Sequence, residues 1–248
     1  MRDHNMVRVL GPVDVWTPAG AIEVGGARQR ALLGALATGA GRAVSADQLQ
    51  QVVWGDDPPR TATNTLQTYI SHVRELLGDA AIIRRDHSYK LDLRVVDVDA
   101  LEFERLVRRA RADDDASRRW RLCRAALRLW RGAAFGDLAD EPSFQLETYR
   151  LEELRLTAME LSMGADLELG RHDLVVGELE SAVREYPYRE RLWHLLVRAL
   201  VLGDRRVEAL RTCEELRRVL ADAGITPGEE LAELEAAIRH GAGHEAAG

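Results

Sequence analysis

The sequence predicts a mainly α chain of 248 residues, α+β in its first third and all-α thereafter. Period-two apolar alternation is confined to residues 7–24 and 82–93, the signature of half-buried strands. Everywhere else apolar residues recur at the three-and-four spacing of helices that bury one face. Composition is that of an ordinary globular chain, with 46% hydrophobic, 30% charged and 5% aromatic residues, so both parts can build a core.

Taken in order, VRVLGPVDVW (7–16) alternates Val7 and Val9, then Val13 and Val15, and a Thr17-Pro18-Ala19-Gly20 turn leads to Ile22 and Val24. ARQRALLGALATG (27–39) changes to a helical period and ends in glycine. SADQLQQVVWG (45–55) reads as a short helix with a capping box, Ser45 facing Gln48, and a closing Gly55. Pro58 and Pro59 break the chain before TATNTLQTYISHVRELLG (61–78), a helix capped by Thr61 or Thr63. IIRRDHSYKLDL (82–93) reads as a hairpin with Tyr89, Leu91 and Leu93 on one face and Arg85-Asp86-His87-Ser88 at its turn. From VDVDALEFERL (96–106) onward the expectation is helix throughout, with Asp99 as its first cap. Asp113-Asp114-Asp115 is expected to be an exposed inter-helix loop, since no further ligands surround it. Leu169-Gly170 and Leu202-Gly203 open two similar helical segments 33 residues apart, close to the ~34-residue tetratricopeptide period of paired helices. GAGHEAAG (241–248) is expected to be a disordered tail.

Charge narrows the function classes. Residues 1–95 hold 11 basic against 10 acidic residues, and residues 96–248 hold 23 against 31. Lys90 is the single lysine. A global basic footprint for nucleic acid is absent, so such a role must rest on a local patch. No apolar run approaches a membrane span and MRDHNMVRVL does not read as a secretory leader, which predicts a cytoplasmic protein. Cys123 and Cys213 lack a second Cys or His at metal-ligand spacing and are expected to be buried thiols. There is no phosphate loop ending in Lys-Ser or Lys-Thr, no Gly-x-Ser-x-Gly and no His-Glu-x-x-His. The paired carboxylates Glu152-Glu153, Glu214-Glu215 and Glu229-Glu230 sit on helical faces beside arginines, as solvated i,i+4 pairs do. The expectation is no enzyme, no metal and no cofactor.

The helix 61–77 stands apart. Leu66, Tyr69, Ile70, Val73, Leu76 and Leu77 form its apolar stripe, while Asn64, Gln67, Thr68 and Ser71 make a polar face with little charge. Asn and Gln offer a donor and an acceptor together, as the adenine edge requires, and Ser and Thr hydroxyls meet either kind of base edge or a phosphate. These four residues are the base-reading candidates. Arg60, Thr61, Thr63, His72 and Arg74 around the helix, and Arg84, Arg85, His87 and Lys90 on the hairpin, are the phosphate-contact candidates. Arg28, Arg30 and Arg42 are further ones. A merely solvated polar face remains open at this point.

WGDDPPRTATNTLQTYISHVRELLG followed by IIRRDHSYKLDL resembles the winged helix of the response-regulator (OmpR-type) class. Within that class the chain is similar to the Streptomyces antibiotic regulatory protein family of transcriptional activators. LRLWRGAAF (127–135), YRLEELRLTAMEL (149–161), LELGRHDLVVGELESAVREYPYRERLW (167–193), LVLGDRRVEALRTCEELRRVL (200–220) and GITPGEELAELEAAI (224–238) resemble that family's bacterial transcriptional activator domain. The resemblance implies a winged helix-turn-helix domain at 6–95 with a four-strand N-terminal sheet, and a tetratricopeptide-like all-α domain at 97–240. It implies the short two-domain form, direct repeats of double-stranded DNA as ligand, RNA polymerase as partner, self-association on DNA, no membrane, and control of a secondary-metabolite gene cluster. A fragment of residues 1–97 is then expected to fold and bind one repeat alone. Two positions depart from the family: Ser88 stands where a glycine precedes the wing tyrosine, predicting a longer or reshaped turn, and His72 stands where a basic residue is common. Two other readings are a helical-repeat adaptor whose winged domain binds protein, and a ligand-gated regulator with Trp120, Trp130 and Trp193 around a pocket.

Overall fold

The computed structural model describes residues 4–226 and 229–239; the tail predicted at 241–248 lies outside them. The chain forms two compact units, one of residues up to 108 plus 125–156, the other of residues 109–124 and those from 157 onward.

In the first unit, β1 (Asn5–Arg8), β2 (Asp14–Thr17) and β3 (Gly20–Glu23) form an antiparallel meander. The fourth strand, β7 (Val96–Val98), runs parallel to β1, with Asn5 opposite Val96 and Val7 opposite Val98. Residues 96–98 are therefore strand, an element absent from the all-helical expectation from VDVDALEFERL onward, while the helix itself starts at Asp99. Their Val-x-Val alternation buries Val96 and Val98 on the side of Val7 and Val15, and three residues are too few to show a period against the helix that follows. Three helices come next: α1 (Ala27–Thr38), α2 (Ala46–Trp54) and α3 (Ala62–Leu77). The capping box of α2 is formed: the Gln48 N–H donates to Ser45 Oγ at 3.1 Å, and the Ser45 N–H donates to Gln48 Oε1 at 3.0 Å. A second sheet joins β4 (Val44–Ser45), β6 (Ser88–Leu91) and β5 (Ile82–Arg85), the last two forming the hairpin. Leu93 lies past β6 and is exposed, so only Tyr89 and Leu91 of the predicted face are buried.

The packing of this unit runs past the 95–97 boundary read from sequence. Asp99, at the start of α4 (Asp99–Arg111), is buried, and its carboxylate accepts the Val9 N–H at 2.8 Å and the Leu10 N–H at 3.1 Å. The Arg131 N–H donates to the Leu10 carbonyl and the Phe135 N–H to the Val9 carbonyl. Phe135 and Phe144 pack on each other with centroids 4.9 Å apart, and both lie against Gly34 of α1, where a Cβ would meet the Phe144 ring at 3.0 Å. A cut at residue 97 removes Val98, Asp99 and three fully buried aromatics, Phe103, Phe135 and Phe144. The fragment expected to fold alone thus lacks part of its core.

The second unit draws on α5 (Ala116–Leu127), α6 (Pro142–Glu168), α7 (His172–Glu185), α8 (Glu190–Leu202), α9 (Arg206–Asp222) and α10 (Glu229–Arg239). Leu179, Trp193, Leu196, Cys213 and Leu216 belong to one core. The two Leu-Gly joints are not strictly matched. Gly170 takes the left-handed conformation at φ 72°, and the Arg171 N–H closes back on the Asp166 carbonyl. In the second joint the left-handed residue is Asp204, at φ 55°, and the Arg205 N–H closes on the Leu200 carbonyl. The structural repeat is therefore Gly170 to Asp204, one residue longer than the spacing of the glycines. Asp tolerates this conformation better than most residues. Residues 113–115 link α4 and α5 as predicted, and the Asp115 carboxylate caps α5 by accepting the Arg118 N–H at 2.9 Å.

Candidate nucleic-acid interface

α3 is held by its apolar stripe. Ala62, Leu66, Ile70, Val73 and Leu77 are buried, and Tyr69, half-buried, stacks on Trp54 of α2 with centroids 6.2 Å apart and rings 18° from parallel. Thr61, Thr63, Asn64, Gln67, Thr68 and Ser71 are all exposed. At 1.5 Å rise per residue, the seven-residue step from Asn64 to Ser71 spans roughly 10 Å, close to three base-pair steps of ~3.4 Å. The Thr68 hydroxyl donates to the Asn64 carbonyl at 3.1 Å. Its proton is thereby engaged, and toward a ligand it acts as an acceptor.

The remaining candidates fall into three groups. Arg60 is exposed in the turn ahead of α3, after Pro58 and Pro59. On the hairpin, the pairs Ile83–Lys90 and Arg85–Ser88 put Arg85 and Lys90 on one face, and Arg84 sits on the other over the Tyr89 ring at 5.8 Å. Arg84, Arg85 and His87 are exposed and Lys90 is half-buried. The third group is held by the fold. The Arg74 guanidinium donates to the Ile82 carbonyl at 2.8 Å and 3.3 Å, bracing α3 against β5, and His72 lies 3.6 Å from Glu75. Arg30 is likewise bound to Asp137 and the Gly25 carbonyl. These partners lie eight and 107 residues from their arginines in the chain, or on the same helix face, and residue type alone does not reveal them.

Of the longer or reshaped wing turn expected from the missing glycine, the structure shows no lengthening. Arg85 pairs directly with Ser88, leaving a two-residue connection in which Asp86 takes the positive φ, 50°. Asx residues enter this region at modest cost, so Asp86 supplies the geometry and position 88 is free to be Ser. Just past the hairpin, hydrogen bonds from Arg94 hold the Asp92 carboxyl down at about 2.

Each of the three tryptophans makes packing contacts of its own. Trp193 is buried with Nε1 donating to the Pro187 carbonyl. Trp120 donates to Asp166 and lies under Arg171. Trp130 meets Phe103 edge-on at 5.4 Å, in the other compact unit. Among the described residues no cluster of three or more His, Cys, Asp or Glu could hold a metal ion, and no helix is long and apolar enough to cross a membrane. Cys123 and Cys213 are buried, and burial pushes both thiols up to about 11.

Two family descriptions match this chain: the C-terminal domain of transcriptional regulatory proteins over residues 24–91, and the bacterial transcriptional activator domain over residues 98–239. The regulatory protein DnrI of Streptomyces peucetius is 32% identical over 94% of this chain and 91% of its own length. The chain belongs to the Streptomyces antibiotic regulatory protein family. The regulatory protein AfsR of Streptomyces griseus is 37% identical, and the chain spans about a quarter of its length, 24%. A solved structure of Mycobacterium tuberculosis EmbR, in complex with a low-affinity phosphopeptide, superposes with a TM-score of 0.86 at 30% identity, covering 96% of this chain and 66% of that one. The family is one of transcriptional regulators, and its domain pair accounts for both the winged and the helical parts of this chain.

Proposed function

We propose that this chain is a cytoplasmic, sequence-specific DNA-binding activator of a secondary-metabolite gene cluster. α3 enters the major groove, where Asn64, Gln67, Thr68 and Ser71 read base edges. Arg60, Thr61 and Thr63 at its start and Arg84, Arg85, His87 and Lys90 on the hairpin contact phosphates. Arg74 and His72 act at the margin, Arg74 chiefly as the brace to β5. Two copies occupy direct repeats, and the helical part, about 97–240, recruits RNA polymerase. The observation that carries this reading is the exposed amide and hydroxyl face of α3 beside a hairpin with exposed arginines.

Footprinting on fragments selected from the native genome tests it. Protomers reading one groove face need repeats about 10–10.5 bp apart or a multiple of that. An insertion of half a turn between the repeats should abolish the second protection. Unchanged occupancy of both sites would remove the head-to-tail arrangement. The adaptor reading has support in the near-neutral N-terminal charge and in Glu75, and absence of duplex binding at low salt would favour it.

A further inference from the structure

We propose that the outer face of the β3-β2-β1-β7 sheet carries a binding site for a small planar aromatic anion, such as an aromatic carboxylate. The strand register places Met6, Trp16 and Ala21 side by side on this face, with Arg8 and Asp14 in the next row, opposite the buried Val7 and Val15. The segment after α5 borders it through Leu129 and Arg131, leaving a cavity of about 490 Å³. That is the size of a site for one small organic molecule. Met6, Trp16, Pro18 and Leu129 give it an apolar lining. Trp16 is 44% exposed there, an unusual state for so large an apolar ring on a strand.

The rim makes the site selective for anions. Arg8, Arg128 and Arg131 all line the cavity. Asp14 is shared: its carboxylate takes two hydrogen bonds from Arg8 at 2.6 Å and one from Arg131 at 3.0 Å. Asp99 is committed to the Val9 and Leu10 N–H groups and lies 4.0 Å from Arg131. One carboxylate thus serves two guanidiniums, and Arg128 adds a third cation with a solvent-exposed side chain. Nη1 of Arg8 and Nε of Arg131 donate to no acceptor among the described residues. Burial, and then Arg8, pull the Arg131 guanidinium below its ordinary value against the opposing effect of Asp14 and Asp99. Arg8 also lies over the Trp16 ring at 5.1 Å, placing a fixed cation against the aromatic platform. A flat ring stacked beside Trp16 would bring its own carboxylate to these free N–H groups, where a planar bidentate contact is favoured.

The test uses 2-naphthoate, titrated calorimetrically into the full chain without DNA, so that its outcome is independent of the DNA reading. One saturable site is expected. Trp16→Ala and Arg128→Glu, both at exposed positions, should each weaken binding about tenfold or more while leaving the thermal melt unchanged. The neutral isostere 2-naphthalenemethanol should also bind about tenfold more weakly. If Trp16→Ala disturbs folding, Arg128→Glu and the neutral isostere decide alone. No saturation at millimolar naphthoate, equal affinity for the alcohol, or indifference to Arg128→Glu would each overturn the proposal.

Discussion

Helices α3 and α9 are built alike on the inside. α3 buries Ala62, Leu66, Ile70, Val73 and Leu77, and α9 buries Ala209, Thr212, Cys213, Leu216 and Leu220. Their outer faces differ. α9 exposes Glu208, Arg211, Glu214, Glu215 and Arg218, whereas α3 exposes Thr63, Asn64, Gln67, Thr68 and Ser71, with Glu75 as its one exposed charge. A face that meets only water gains from charged side chains, which are well hydrated, favour helix and pair at i,i+3 and i,i+4. Asn, Thr and Ser are poorer helix formers by up to ~0.7 kcal/mol each. The face of α3 therefore gives up local stability for directional hydrogen-bonding groups, the exchange that the proposed base contacts call for. The burial stripe says where a helix sits; the opposite face says what it meets.

The largest expected effect tests the part the two helices share. Ile70→Ala and Leu216→Ala each remove a fully buried branched side chain and should cost about 2–5 kcal/mol, measured by urea denaturation of the unit concerned. A cost below 1 kcal/mol for either would mean that its stripe is not packed as described.

Buried charge separates the two units in a second way. Glu235, in the helical unit, is buried against Arg217 and Arg239. Asp99, in the winged unit, is buried against backbone N–H groups, and burial pushes its carboxyl up to about 6 from 3.8. Between those values the folded chain binds more protons than the unfolded one. The contribution of Asp99 is thus complete below pH ~4 and is lost as pH rises through about 6, by at most ~3 kcal/mol. Asp92, Asp115 and Glu208 are shifted down and act in the opposite sense, so the measurement is a difference. The stability of wild type minus that of Asp99→Asn should fall by about 1–3 kcal/mol from pH 4 to pH 7. A flat difference would show that Asp99 is ionised as readily as in water.

How much of this was legible in the sequence depends on how local each cause is. The capping box of α2, the stripe of α3 and the hairpin of β5 and β6 all rest on residues within a few positions of one another, and the sequence pattern located them. β7 was missed because its partner β1 lies about ninety residues earlier. The staple from Asp99 to Val9 and Leu10, and the packing of Phe135 and Phe144 on Gly34, are non-local in the same way. For the interface, exposure of Asn64, Gln67, Thr68 and Ser71 followed from the helical period. The inward turn of Arg74 did not, since an arginine at the margin of a stripe can reach either solvent or a neighbouring carbonyl.

The functional half of the comparison predicts effects of about 1–3 kcal/mol. Asn64→Ala or Gln67→Ala should weaken operator binding by that amount while leaving non-specific binding and stability nearly unchanged. The corresponding surface changes in α9, Arg211→Ala and Glu214→Ala, should leave operator affinity untouched and shift stability by less than about 0.5 kcal/mol. Electrophoretic titrations on operator and scrambled duplexes distinguish the two helices. Equal losses on both duplexes would demote Asn64 and Gln67 from base readers to general contacts.

The smallest effect sharpens the contrast at the helix starts. Ser45 caps α2 through the Gln48 N–H, so Ser45→Ala should cost about 1 kcal/mol of stability. Thr61 occupies the equivalent place before α3, yet its side chain makes no cap hydrogen bond; its hydroxyl lies 3.5 Å from that of Thr65. Thr61→Ala should therefore shift stability by no more than a few tenths of a kcal/mol, within the range of an ordinary surface change. If the Thr61 hydroxyl contacts a phosphate, the same substitution should weaken binding to operator and scrambled duplexes equally, because a phosphate contact positions without specifying sequence. Stability and binding are then decoupled at Thr61 and absent from binding at Ser45. A Thr61→Ala protein that is destabilised as much as Ser45→Ala, with DNA affinity intact, would make Thr61 a structural cap and remove it from the proposed phosphate contacts.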